Sequence, residues 1–160
     1  MTNPSPEGIA RRLIESAMTG SLGVIHPETG HPHVSRVAVG ATPGGEVYVL
    51  VSELSMHTKA LRADPKCSLL VGEFDESGDP LDSARLTLTG RARFLERGGD
   101  EHLDCRSHFL SVSGVPRPYV DFADFRFVVI EAETAFLNAG FGKASAIDPG
   151  RLRPGRRENS

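Results

Sequence analysis

The sequence predicts a mainly β domain, a small antiparallel barrel with a few flanking helices. Three observations carry that expectation. The apolar runs are short, and turns such as PETGHP and ATPGGE between them join antiparallel neighbours. Leu86 and Leu88 alternate with Arg85, Thr87 and Thr89, the period-2 pattern of a strand with one polar face. Several such strands in one chain favour closure, because a closed sheet leaves no bare edge.

Each element has its own signal. Pro6 to Ala17 reads as a helix: Ser5 is a good N-cap, Pro6 fits the first helical position and Glu7 suits the positive end of the dipole. Gly8 stands where a capping box needs Glu or Gln. Ile9, Leu13, Ile14 and Ala17 make the apolar face, and Gly20 breaks the helix. Strands at Leu22–Ile25, His33–Val39 and Val47–Val51 form a meander. A second helix, Met56–Ala63, starts at Ser55 and stops at Asp64-Pro65. Strands follow at Cys67–Phe74 and Ala84–Phe94, then a helix over 98–111 and a loop with a short helical turn. Phe127–Ile130 and Ala132–Leu137 complete the sheet. From Pro149 the chain is basic, rich in Gly and Pro and almost free of apolar residues, so 149–160 reads as a flexible tail after one domain, 1–148.

Composition narrows the function. The formal net charge is −3, which implies no general electrostatic hold on nucleic acid. No stretch is long and apolar enough to span a bilayer, and the N-terminus lacks the apolar run of a signal peptide, so no membrane partner is expected. Cys67 and Cys105 belong to no CxxC pattern and point to a reduced, cytoplasmic protein.

The strongest local signal is Ser52–Leu61, SELSMHTKAL. A helix start presents unpaired N–H groups and the positive dipole end, and Ser52, Ser55, His57 and Thr58 add donors there. The stretch reads either as an ordinary capped helix or as a phosphate site. Arg36 on the second strand, with Arg85 and Thr87 on one face of the fifth, converges with that corner on a phosphorylated ligand, or else pairs with Asp82, Glu73 or Glu53. His31 and His33 flank Pro32 in a turn with no convincing further ligand, so no metal site is expected. His102 and His108 fall on different faces of one helix and read as surface residues. Cys67 reads as core and Cys105 as partly exposed. Asp121 and Asp124 read as caps rather than an acid–base couple. Nucleophile-elbow, Walker and Rossmann patterns are absent, and no residue is assigned a catalytic role.

Four segments in order, GHPHVSRVAV, SELSMHTKALRADPKCSLLV, DPLDSARLTLTGRA and DFADFRFVVIEAETAFLNAGFGKA, cover roughly residues 8–147. They resemble the FMN-binding split-barrel proteins related to pyridoxamine 5′-phosphate oxidase, and within them the haem-utilisation (HugZ-like) branch. The resemblance implies an antiparallel, Greek-key-like split barrel and a homodimer with FMN in a groove shared by both subunits. Arg36 and the backbone at Val37 would border the flavin ring and ribityl chain. Ser52, His57 and Thr58 would hold the phosphate, Arg85 would be contributed by the partner subunit, and Phe141 would lie near the flavin. The oxidases' substrate lysine falls at about Ala41 here, and their C-terminal tryptophan and Arg-x-His motif are missing, so vitamin B6 oxidation is not expected. An FMN-dependent oxidoreductase acting on an unidentified small molecule is the first expectation. A haem-binding or haem-degrading protein is the alternative, although no histidine follows His108.

Overall fold

Alternating burial along short strands closes the sheet on itself. The computed structural model describes residues 3–73, 76–112, 114 and 117–153. Its elements are α1 (Pro6–Ser16), β1 (Thr19–Ile25), β2 (Pro32–Ala41), β3 (Val47–Ser52), α2 (Met56–Ala63), β4 (Lys66–Gly72), β5 (Arg85–Phe94), α3 (Asp100–Val112), β6 (Phe125–Asn138) and β7 (Ala144–Ile147). The antiparallel sheet runs β3-β2-β1-β4-β5-β6-β7, and β3 also pairs with β6. Six strands therefore form the barrel and β7 extends it. Every second residue points inward: Leu22 and Val24 on β1, Cys67, Leu69 and Val71 on β4, Leu86 and Leu88 on β5. Leu13 and Ile14 of α1 and Ala60 and Leu61 of α2 join the same interior cluster. Ser5 caps α1 as expected, its Oγ accepting the Gly8 amide at 3.1 Å.

The two expected closing strands are one strand, β6, with a bulge. Thr89 pairs with Thr134 but Gly90 pairs with Ala132, so Glu133 is the extra residue. A Cβ on Gly90 would stand 2.0 Å from the Glu131 carbonyl oxygen, and only glycine lets the strands approach there. β7 had no sequence signal. The end of the chain corrects the expected tail: Pro149–Leu152 form a 3-10 turn, and Leu152 joins the barrel core. One buried leucine ties the chain down against the entropy of its Gly/Pro surroundings. Residues 154–160 lie outside the described residues, as does Phe74, placed by sequence at the end of β4.

α3 makes a second core on the outer side of β3, which explains why Val47 through Val51 are all buried. Tyr48, Leu50, Phe127 and Val129 meet Leu95, Cys105, Phe109 and Val120 there. This corrects two expectations. Cys105 is buried, and burial pushes its thiol up to about 12. His102 is buried edge-on to Phe127, and His108 Nδ1 is 2.7 Å from the Tyr48 hydroxyl. Burial lowers the pKa of both histidines and raises that of Tyr48, so tyrosine donates and neutral imidazole accepts.

Candidate functional site: a notch beside β2

β2 and β3 pair only from Ala38↔Leu50 to Ala41↔Val47. Beyond Leu50, β3 continues its pairing with β6, reaching Ser52↔Phe125, and then turns into α2. The edge of β2 from Pro32 to Val37 is therefore left without a strand on that side, with the start of α2 beside it. Arg36 stands on this edge, exposed, its side chain without a hydrogen bond or ion pair to any described residue. None of the expected carboxylate partners reaches it.

Next to Arg36, Ser35 faces the other way, its Oγ 2.9 Å from His57 Nδ1. His57 Nε2 is buried with no partner. Burial, and then the nearby His33, lower the His57 pKa, so the ring is neutral at neutral pH. Ser55 occupies the N-cap of α2 without making a side-chain cap bond.

The other two corner residues hold the corner itself. Ser52 Oγ donates to Asp124 Oδ2 at 2.8 Å and accepts the Leu54 amide at 3.1 Å. Thr58 is fully buried and donates to the Ser52 carbonyl at 2.5 Å. Glu53 pairs with Arg62 and lies 3.4 Å from Arg126, and the Arg62 bond holds its carboxyl below the usual range. Asp124 thus serves Ser52, while Asp121 pairs with Arg106, so the two aspartates act separately.

Arg36 also begins a row across the outer barrel face: Arg36, Ser21, Leu70, Thr87, Phe136, by the registers of β2, β1, β4, β5 and β6. The row follows the curve of the closed sheet, so Thr87 on β5, three strands away, and Phe136 on β6, four strands away, face away from Arg36 around the barrel. Leu70, Phe136 and Val34 are 42%, 51% and 65% exposed. Val34 lies two residues from Arg36 on the same outward register, so exposed apolar surface adjoins the guanidinium. Arg85 flanks this face but donates to the Leu81 and Ser83 carbonyls, bracing the preceding 3-10 turn, Pro80–Asp82. Val37 points inward and is buried, leaving its backbone at the notch edge. Phe141 lies at the β6–β7 turn, 83% exposed.

Sequence reasoning passed over Ser35, Leu70 and Phe136, and it read Asp124 as a cap rather than as the partner of Ser52. Leu70 and Phe136 were findable: each sits between two inward residues, Leu69 and Val71 or Ala135 and Leu137, so each had to face out. The Ser35–His57 and Ser52–Asp124 contacts join distant segments and leave no local pattern.

Chemically, the notch offers a free guanidinium, a free hydroxyl and a helix start beside an apolar platform of Val34 and Leu70, with the orphaned imidazole nitrogen buried on the other face of β2. That set fits a flat ligand with an anionic end. Among the described residues no group of three His, Cys, Asp or Glu side chains stands close enough to hold a bare metal ion. No helix among them is long and apolar enough to cross a membrane.

A split β-barrel with a notch at the bared edge of β2 is the class these features define. The chain belongs to the CREG beta-barrel family, whose model matches residues 5–152. It is 33% identical to the chloroplastic non-canonical heme oxygenase HOZ of Arabidopsis thaliana over 91% of this chain and 48% of that one. The chain thus spans about half the length of that curated relative. A heme binding protein from Mycobacterium smegmatis superposes with a TM-score of 0.84 at 29% identity, over 95% of this chain and 61% of the other. Campylobacter jejuni ChuZ superposes with a TM-score of 0.80 at 23% identity, over 96% and 63% of the two chains, a likeness of fold.

Proposed function

We propose that this protein binds haem at the notch, with the macrocycle on the apolar platform and its carboxylates toward Arg36. The observation that carries the reading is the exposed Arg36, its side chain unpartnered, beside the exposed Val34 on the bared edge of β2. Haem has the matching shape, a flat apolar disc with two carboxylates on one edge. Support also comes from the heme-related names of the Arabidopsis and mycobacterial proteins. This reverses the order of the sequence-based expectations, in which FMN stood first.

A second copy of the chain is proposed to cover the rest of the platform, giving a homodimer with the ligand at its contact. Ser55 and the start of α2 would border the carboxylates, while Ser52 and Thr58 would shape the corner from behind. Arg85, Thr87 and Phe141 would face the partner's notch. The two separate, buried thiols fit a reducing compartment such as the cytoplasm.

FMN is the second reading, favoured by the same guanidinium, hydroxyl and helix start, which suit a phosphate. In that reading the protein is an FMN-dependent oxidoreductase, with the flavin supplying the redox chemistry. Titration of the purified protein separates the two. A saturable Soret shift on adding haem, with FMN fluorescence unquenched, is the expected result. Quenching of FMN with no Soret change would transfer the assignment to the flavin, and no response to either would remove both.

A further inference from the structure

We propose that Gly23 is the specificity-determining residue of the notch, the floor on which the ligand's flat ring rests; this rests on the haem-binding reading above. Nothing inside the protein requires glycine at this place in β1. Its φ is negative, a conformation open to any residue. A Cβ added there would meet only the Ser68 carbonyl oxygen at 3.7 Å and Ser68 Cβ at 3.9 Å, both ordinary contacts. The other glycines of the described strands differ. Gly20, Gly40, Gly72 and Gly90 would bring a Cβ to 2.9, 2.3, 3.0 and 2.0 Å from a neighbour, so each is held to glycine by packing. Gly23 alone has room for a side chain and lacks one. Glycine weakens a strand, and inside one it often marks a place where a ligand or another backbone comes close.

The room over Gly23 opens into a groove of about 430 Å³ on the outer barrel face. Ser68 and Thr89 continue its floor, and their hydroxyls bond each other at 3.2 Å, which lowers their demand for water. Ile25 and Pro32 stand on its β1–β2 side. Lys66 and the Arg91–Glu133 pair make the opposite rim polar.

The groove adjoins the notch. Gly23 pairs with Val34, and Val34 shares the outward register of Arg36. Pro32, four residues from Arg36 on the same strand, lies about 13 Å from it. A macrocycle held at Arg36 by its carboxylates therefore extends past Val34 and over Gly23. The outside of a closed barrel is convex, so a rigid plane rests on one strand and leans toward its neighbours. Here that strand is β1, between Val34 on β2 and Leu70 on β4. A side chain at residue 23 would prop the ring off both.

The test uses the full chain and two probes, haem and metal-free protoporphyrin IX, which keeps the ring and carboxylates without iron. Gly23→Val should fold with a urea midpoint no lower than wild type, because a β-branched residue suits a strand and has space there. It should weaken both probes by the same factor, about tenfold or more, with Gly23→Ala in between. Unchanged affinity in folded Gly23→Val, or weakening confined to haem, would overturn the role of Gly23 and leave the binding reading standing. So would a urea midpoint lowered in both variants, which would make the glycine a requirement of the fold. A smaller oligomer in ligand-free Gly23→Val, seen by sedimentation, would also overturn it, because a second copy's backbone would then occupy the groove. Failure of the wild type to bind either probe would overturn the binding reading as well.

Discussion

Replacing Arg36 with alanine separates a binding residue from a structural one. The Arg36 side chain makes no bond to any described residue, so its removal should change unfolding free energy by no more than about 0.5 kcal/mol. Arg85 is the internal comparison, because it donates to two carbonyls and its loss should cost about 1 kcal/mol or more. For the ligand the order reverses. A charge-assisted bond from Arg36 to a carboxylate or phosphate is worth about 1.5–3 kcal/mol, or roughly tenfold to a hundredfold in Kd. The residue is exposed, so the difference between wild type and Arg36→Ala should shrink as salt is raised. The assay pairs urea unfolding with ligand titration at low and high ionic strength. A wild-type Kd in Arg36→Ala would refute the argument, and so would a large loss of fold stability.

Three further outcomes follow from the packing. Gly90→Ala should lower stability by about 3 kcal/mol, the top of the overpacking range, because its Cβ meets the backbone of Glu131 rather than a movable side chain; a melting temperature within a degree of wild type would contradict this. Phe127→Ala should cost about 3–5 kcal/mol, since Phe127 is the shared edge-to-face partner of Tyr48, His102 and Phe109; chemical denaturation measures it, and faster amide exchange in α3 should accompany it. The pKa values of His57, His102 and His108 are all lowered by burial from 6.5, so the unfolded chain binds protons that the folded chain refuses. Their contribution is fully present above pH 6.5 and is lost as pH falls through the folded values, with a slope of at most about 1.4 kcal/mol per pH unit for each histidine. Urea midpoints in His102→Gln with His108→Gln should depend less on pH between 6.5 and 5 than in wild type; equal dependence would refute the assignment.

Local rules recovered most of the fold because most of its signals are local. Ser5, Pro6 and the apolar stripe defined α1, and alternation defined β5, within a residue or so of the observed ends. The misses share one cause, dependence on residues far away in the chain. The β6 bulge exists because Gly90 lets the Glu131 backbone approach, and a break at residue 131 cannot be told from two strands without that neighbour. His102 and His108 read as surface residues because α3 shows a weak apolar stripe; Tyr48 and Phe127, distant in sequence, are what bury them. At the candidate site, the residue types at the α2 corner were readable and their bonding was not. Ser52 and Thr58 look like equal donors in SELSMHTKAL, yet Asp124 and the Ser52 carbonyl occupy them.

The notch itself is a consequence of how the barrel closes. To pair with β6, β3 has to leave β2 after Leu50, and the edge of β2 below Ala38 is bared by that departure. A bare edge invites pairing with another chain, and a charged side chain on it is a common deterrent. Arg36 therefore has a purely protective explanation that competes with ligand binding. The two differ in what Arg36→Lys does. Lysine keeps the charge and deters edge pairing as well as arginine, but it lacks the planar fork that grips a carboxylate or phosphate with two parallel bonds. Weaker ligand binding in a monodisperse Arg36→Lys protein means the edge was left open for a ligand. Unchanged binding, with aggregation appearing only in Arg36→Ala, means Arg36 merely guards it.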